Sequence, residues 1–138
     1  MLKKANLKKN QIFLDLGCGD GRVVREAVKL YHLEGIGVEI NPLLLIWSRF
    51  LAKIHNVSHI KFCRMDIVKS PFPKANIIYI FLMPKLIGKI APKLKKSLDD
   101  GALIISHGFK VDELKKYMFT RINRNPFPTY FYKIRPDN

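Results

Sequence analysis

The segment that most limits how this chain can fold is Phe13-Leu14-Asp15-Leu16-Gly17-Cys18-Gly19-Asp20-Gly21-Arg22. An apolar run ends in an acid, three glycines then alternate with other residues, and a helix-like stretch follows. A strand that stops near Asp15 and turns through Gly17, Gly19 and Gly21 exposes bare backbone to a ligand, because glycine has no side chain and tolerates positive φ. A dinucleotide loop has the spacing G-x-G-x-x-G and draws pyrophosphate to a helix N-terminus. Here the spacing is G-x-G-x-G, and Asp15 and Asp20 bring negative charge to the same turn. A cation-bearing ligand suits that turn better than a pyrophosphate does.

The rest of the pattern is α/β. Ile12–Leu16 reads as a buried strand and Arg22–His32 as a helix, with Val23, Val24, Ala27, Val28 and Tyr31 at helical spacing. Gly35–Ile40 is a second strand, and Pro42 opens a helix whose apolar stripe runs through Leu43, Trp47, Phe50, Leu51 and Ile54. On that stripe Trp47 is expected in the core. His59–Arg64 and Asn76–Leu82 are further strands, and Pro84–Leu98 is a helix in which Pro92 predicts an interruption. Ala102–Ser106 is the fifth strand. A short helix over Asp112–Tyr117 precedes a hairpin of Phe119–Asn123 and Thr129–Arg135. Strands alternating with helices predict a Rossmann-like, mostly parallel sheet with helices on both faces and an antiparallel hairpin at its C-terminal side. The whole chain, 1–138, is read as one domain.

In such sheets ligands bind beyond the carboxyl ends of the strands, where the strand order reverses. Asp15, Glu39, Asp66 and Phe81 all fall at or beside those ends. Glu39, eighteen residues after Gly21, can accept hydrogen bonds from both ribose hydroxyls, or serve simply as an acid at a helix start. Asp66 can accept an adenine amino group, with Ile67 packed on the ring, or be an ordinary turn residue. Asp15 has few uses as a buried acid unless it meets a cation or caps the loop amides. Asp20 reads as a ligand contact or a solvated loop acid, and Cys18 as a small packing residue. Nucleoside-binding acids beside a cation-seeking turn point to S-adenosylmethionine, whose amino group and sulfonium carry positive charge. Tyr79 and Phe81, at the fourth strand's exit, read equally as a floor for the methyl acceptor and as plain strand core, and His107 stands near them as a proton shuttle or as a hold on the fifth strand's end.

Charge bears on partners. With 25 Lys and Arg against 11 Asp and Glu, the formal charge is +14, which fits either a solvated lysine surface or an anionic partner such as RNA. Lys85, Lys89, Lys93, Lys95 and Lys96 could follow phosphates, as could Arg121, Arg124, Lys133 and Arg135 among Tyr130, Phe131 and Tyr132. No Asp/Asn-Pro-Pro-Tyr/Phe tetrapeptide occurs, which counts against methylation of a base amino group. The four histidines and two cysteines show no metal spacing, so no metal site is expected. Two cysteines without a disulfide pattern point to a reducing cytoplasm. The longest apolar run, Ile77 to Met83, is far short of the ~20 residues of a membrane span.

Asp15–Arg22, Gly37-Val-Glu-Ile-Asn41, Pro92-Lys-Leu-Lys-Lys-Ser-Leu98 and Ser106-His-Gly-Phe109 together resemble the small class I protein-lysine methyltransferases: the archaeal broad-range enzymes and the ATP synthase c-subunit lysine methyltransferases. The resemblance spans about Ile12 to Phe109. It implies that Asp15, Gly17, Gly19 and Gly21 line the methionine part of S-adenosylmethionine, Glu39 the ribose and Asp66 the adenine edge; Cys18, Asp20, Ile40 and Ile67 complete the expected cofactor-binding set. It also implies a protein substrate with an accessible lysine. The chain departs from that family in having only Met1–Asn10 before the first strand, and Lys110-Val111-Asp112 where Gly-Trp is usual. An RNA methyltransferase and a cofactor-binding module without activity are the alternatives.

Overall fold

The computed structural model describes residues 1–135. Seven strands form one sheet: β1 (Ile12–Leu16), β2 (Glu34–Glu39), β3 (Ile60–Arg64), β4 (Ile77–Ile80), β5 (Leu103–His107), β6 (Met118–Ile122) and β7 (Thr129–Tyr132). Their order is β3-β2-β1-β4-β5-β7-β6, with β7 antiparallel to both of its neighbours and the other pairings parallel. The crossovers are α1 (Arg22–Tyr31), α2 (Pro42–Ile54) and α3 (Pro84–Asp99), and a 3₁₀ helix over Asp112–Tyr117 precedes β6. The order reverses between β1 and β4, so the crevice of a doubly wound sheet opens there.

Helices cover both faces, as the alternation predicts. Phe13, Tyr79, Ile105 and Phe131 pack against Val24, Ala27 and Val28 of α1, and Leu45 and Ala52 of α2. Leu14, Ile78, Ile80 and Ile104 pack against Ile87, Ile90, Leu94 and Leu98 of α3 on the other side. Side chains alternate between faces along a strand. The register pairs Asp15 with Gly37 and with Tyr79, so all three share the α1 face. Two residues beyond Tyr79, and two beyond Ile105, the same alternation turns Phe81 and His107 towards that face. In β2, Gly35 and Gly37 keep this floor low: a Cβ at Gly37 would lie 2.8 Å from Phe62 Cδ1, and one at Gly35 equally close to Val24 and Val28.

Two expectations need correcting. Helix α3 runs without a break through Pro92. The lost hydrogen bond costs roughly 3 kcal/mol, and the burial of Ile87, Ile90, Ala91, Leu94 and Leu98 outweighs it. Trp47 is not in the core. It is 49% exposed, and Leu43, Ile46, Phe50 and Ile54 share its side of α2, because the helix turns Leu45, Ser48 and Ala52 to the sheet instead. The segment between β3 and β4 holds no helix.

Candidate functional site

The glycine loop leaves β1 through three positive-φ glycines, Gly17 (+74°), Gly19 (+56°) and Gly21 (+77°). Gly17 and Cys18 both donate their N–H groups to the Val38 carbonyl at 2.9 Å, which ties the loop to the end of β2. Glu39 completes the tie. Its Oε1 accepts from Gly19 N at 3.1 Å, and its Oε2 accepts from Ile40 N and Asn41 N at 2.9 and 3.1 Å. The acid that caps loop amides is therefore Glu39 and not Asp15. Ser48 secures the same loop from α2, donating to the Gly19 carbonyl at 2.7 Å. Sequence reading missed Ser48; its signal was a lone small polar residue between Leu45 and Ala52 on the buried side of an apolar helix.

Asp15 is 3% exposed and lines the larger of the two cavities that meet at Gly17. Burial first, and the charges of Glu39 and Asp20 after it, push its pKa up to about 8. Burial likewise drives the Cys18 thiol up to about 12, with Asp15 adding to it, so Cys18 is an inert packing residue. Asp20 accepts from Arg22 N at 3.0 Å, a turn that starts α1. Asp66 makes a similar turn, accepting from Val68 N at 2.9 Å.

Two cavities meet at Gly17, and between them they gather every acid singled out above except Asp20. One of about 300 Å³ is lined by Glu39, Ile40, Asp66 and Ile67, closed by Leu82 and Leu86. The other, about 490 Å³, is lined by Asp15, Cys18, Tyr79, Phe81, His107 and Phe127. A Cβ on Gly17 would come 3.2 Å from Leu82 Cδ2, so only glycine keeps the divide thin. A further cavity of about 490 Å³ between α3 and residues 71–75 holds none of these strand-end acids.

At the mouth of the larger cavity three rings converge. Phe81 lies 4.9 Å from His107 and 5.2 Å from Phe127, and His107 lies 5.8 Å from Phe127, centroid to centroid. Phe127 comes from the β6–β7 loop, fastened where Gly108 N donates to Pro128 O at 2.7 Å. Burial, aided by the Met1 ammonium, lowers the pKa of His107, so its ring is neutral at pH 7; its Nδ1 lies 2.8 Å from Thr129 Oγ1. Tyr79 is 4% exposed and stacks on Phe13 at 6.2 Å, with its hydroxyl pKa raised by burial.

Lys93, read from sequence as a possible phosphate contact, is committed elsewhere. From α3 its Nζ donates to the carbonyls of Ile67, Val68 and Ser70 at 2.8, 2.6 and 2.7 Å, and lies 5.5 Å from the centre of the Phe72 ring. Three donors meet three acceptors, which holds the helix-free segment beside Asp66 in one shape. Lys95 is paired with Asp99. The Lys93→Met variant is expected to bind an adenosine-containing ligand about tenfold more weakly by calorimetry, a loss of roughly 1.4 kcal/mol, with Lys93→Arg recovering part of the loss.

The ANTKMT methyltransferase domain model matches residues 15–118, from the acid of the glycine loop to the start of β6. The chain belongs to that family. A protein-lysine N-methyltransferase of Saccharolobus islandicus is 32% identical over 118 residues, covering 80% of this chain and 70% of that protein. The ATP synthase c-subunit lysine N-methyltransferase of Xenopus laevis is 35% identical over 99 residues, and the match spans only 43% of its length. The crystal structure of an RNA methyltransferase from Salinibacter ruber, complexed with S-adenosylhomocysteine, superposes with a TM-score of 0.88 at 26% identity, over 99% of this chain and 89% of that one. This ANTKMT-family chain is an S-adenosylmethionine-dependent methyltransferase. The donor set on either side of Gly17 fits such a group: Glu39 and Asp66 among apolar Ile40, Ile67 and Leu82 on one side, and the buried Asp15 on the other.

Proposed function

We propose that this enzyme is a cytoplasmic protein-lysine N-methyltransferase, and that the two cavities divide the work. In this reading Asp15 faces the methionine ammonium, and the backbone of Gly17, Cys18, Gly19 and Gly21 follows the methionine chain, with Asp20 fixing the loop's exit. Glu39 accepts from the ribose hydroxyls, Asp66 accepts the adenine amino group, and Ile40 and Ile67 flank the base. The supporting observation is the ring-lined mouth of Phe81, His107 and Phe127 opening directly onto the Asp15 cavity. It admits a long, slender side chain and offers π faces to a cationic head. The name of the Saccharolobus relative points to the same acceptor. Free Cys18 and Cys63 suit a reducing compartment.

Bound S-adenosylmethionine supplies an electrophilic methyl group on a sulfonium. The acceptor must present a lone pair. A free lysine has a pKa near 10.4, so neutralising it at pH 7 costs about 4.6 kcal/mol, from ~3.4 units at ~1.36 kcal/mol each. The apolar ring collar and a +14 molecule both press that pKa down. Holding the amine in line contributes further, since well-oriented reactions gain ~7–11 kcal/mol. Neutral His107, set between the rings by Thr129, is placed to take a proton from the arriving ammonium; Tyr79 supports the floor.

Incubation with radiolabelled methyl donor and separated protein and RNA fractions tests the acceptor directly. Label in protein, recovered as methyl-lysine, is the expected result; none there would end this reading. Phe127→Ala is expected to raise KM for the protein acceptor about tenfold, roughly 1.4 kcal/mol of lost contact, while leaving the Kd for S-adenosylhomocysteine unchanged. A second reading, RNA methylation, is favoured by the Salinibacter enzyme, which matches nearly the whole chain. Label confined to RNA would establish it.

A further inference from the structure

Helix α2 is apolar on two opposite sides, and the sheet covers one of them. Leu45, Ser48 and Ala52 are buried, while Leu43, Ile46, Trp47, Phe50 and Ile54 project from the far side with 74, 61, 49, 50 and 56% of their surface exposed. The Trp47 and Phe50 rings stack at 5.5 Å, which makes the patch continuous. A helix apolar all round is ordinarily buried on both sides, and a contiguous exposed patch of large side chains marks an interaction surface.

Charge narrows what can cover it. From Asn41 to Met65 the chain contains no Asp or Glu, while Arg49 and Lys53 of α2 itself are exposed, Arg49 also donating to the Phe62 carbonyl at 2.9 Å. A second copy would bring another +14 against this one and no acid from the same segment to offset it. Single-stranded RNA would satisfy the cations and stack on two rings. It would leave Leu43, Ile46 and Ile54 without reward, however, and these are three of the five exposed side chains. An anionic bilayer answers all of them at once. Aliphatic chains enter the acyl boundary, aromatic rings sit at headgroup level, and lysine and arginine meet lipid phosphates.

We propose that α2 is a membrane-docking helix that lays this face on the surface of an anionic lipid bilayer. No helix among the described residues is long and apolar enough to cross a membrane, so the contact is peripheral. Asn41 caps α2 two residues beyond Glu39, its Oδ1 accepting from Leu43 N at 2.9 Å, so the docked face begins at the rim of the donor crevice. Docking therefore brings the crevice beside the lipid surface.

Trp47 is the only tryptophan in the chain, so intrinsic emission reports on this face alone. With phosphatidylglycerol-containing vesicles the emission is expected to shift to the blue, with no shift for pure phosphatidylcholine and reversal at high salt. Ile46→Ser/Phe50→Ser keeps the reporter and is expected to partition about tenfold more weakly, with S-adenosylhomocysteine binding retained as proof of the fold. Lys53→Glu, which leaves the apolar face whole, should weaken binding to the anionic vesicles as well. An unchanged spectrum with anionic vesicles overturns the proposal. So does equal binding to pure phosphatidylcholine, a lipid-free blue shift that grows with protein concentration, or a larger shift with single-stranded RNA than with vesicles.

Discussion

Glu39→Ala is expected to lower affinity for S-adenosylhomocysteine by at least about 100-fold while the fold survives. The carboxylate has two uses. Without ligand it gathers the N–H groups of Gly19, Ile40 and Asn41 at 2.9–3.1 Å, which sets the shape of the glycine loop. With ligand, in the proposed reading, it also accepts from the ribose hydroxyls. Hydrogen bonds to a charged group contribute about 1.5–3 kcal/mol each, so losing two already accounts for the stated factor before the loop relaxes. Glu39 ends an interior strand but is itself only partly buried, and the loop keeps its ties to Val38 and Ser48. Calorimetric titration of the variant, with circular dichroism to confirm folding, decides the matter. Undiminished affinity would remove Glu39 from the donor site.

The second large effect is a pH dependence centred on Asp15. Its pKa is raised from 3.8 to about 8, so between those values the native state holds a proton that the unfolded chain releases. The donor-free protein should therefore lose stability as pH rises through that window. Donor binding runs the other way. An ammonium placed against Asp15 needs the carboxylate ionised, so affinity should climb with pH towards 8, by at most about tenfold per unit. Above ~7.7–8.0 the ligand's own α-amino group loses its charge and the gain ends. Asp15→Asn should flatten both curves, raise the melting temperature of the donor-free protein at pH 8, and reduce donor affinity at that pH by about 100-fold or more. The last figure follows from the roughly 3–5 kcal/mol lost when one partner of a buried pair is removed. A wild-type affinity that ignores pH between 6 and 8 would show that no cation meets Asp15.

Much of the candidate site's geometry was legible because its parts are contiguous or strand-end residues. Asp15 through Gly21 is one turn, and the positive φ values at all three glycines are what that spacing demands. Glu39 and Asp66 could be placed because β2 and β3 end there and parallel strands end on one side of a sheet. The hairpin was also visible, although its order was not: β7 sits inside and β6 takes the edge. Other features depend on partners far away in the chain. Lys93 reaches 23 to 26 residues back to hold the segment beside Asp66, and nothing in a run of helix lysines singles it out. Phe127 joins Phe81 and His107 only because the β6–β7 loop folds over Gly108.

Helix α2 shows the boundary between the two kinds of information. Its sequence fixes a helix opened by Pro42, and the donor loop fixes the α/β plan, since both rest on local backbone preference: a ring that sets φ, and glycines that alone accept left-handed turns. Which side of an all-round apolar helix meets the sheet is not a local property. It is settled by what the rest of the fold offers, and here the Gly19 carbonyl, which accepts from Ser48 at 2.7 Å, lies on the side of Leu45, Ser48 and Ala52 and leaves Trp47 and Phe50 outward. Periodicity can count apolar faces, but only packing chooses between them.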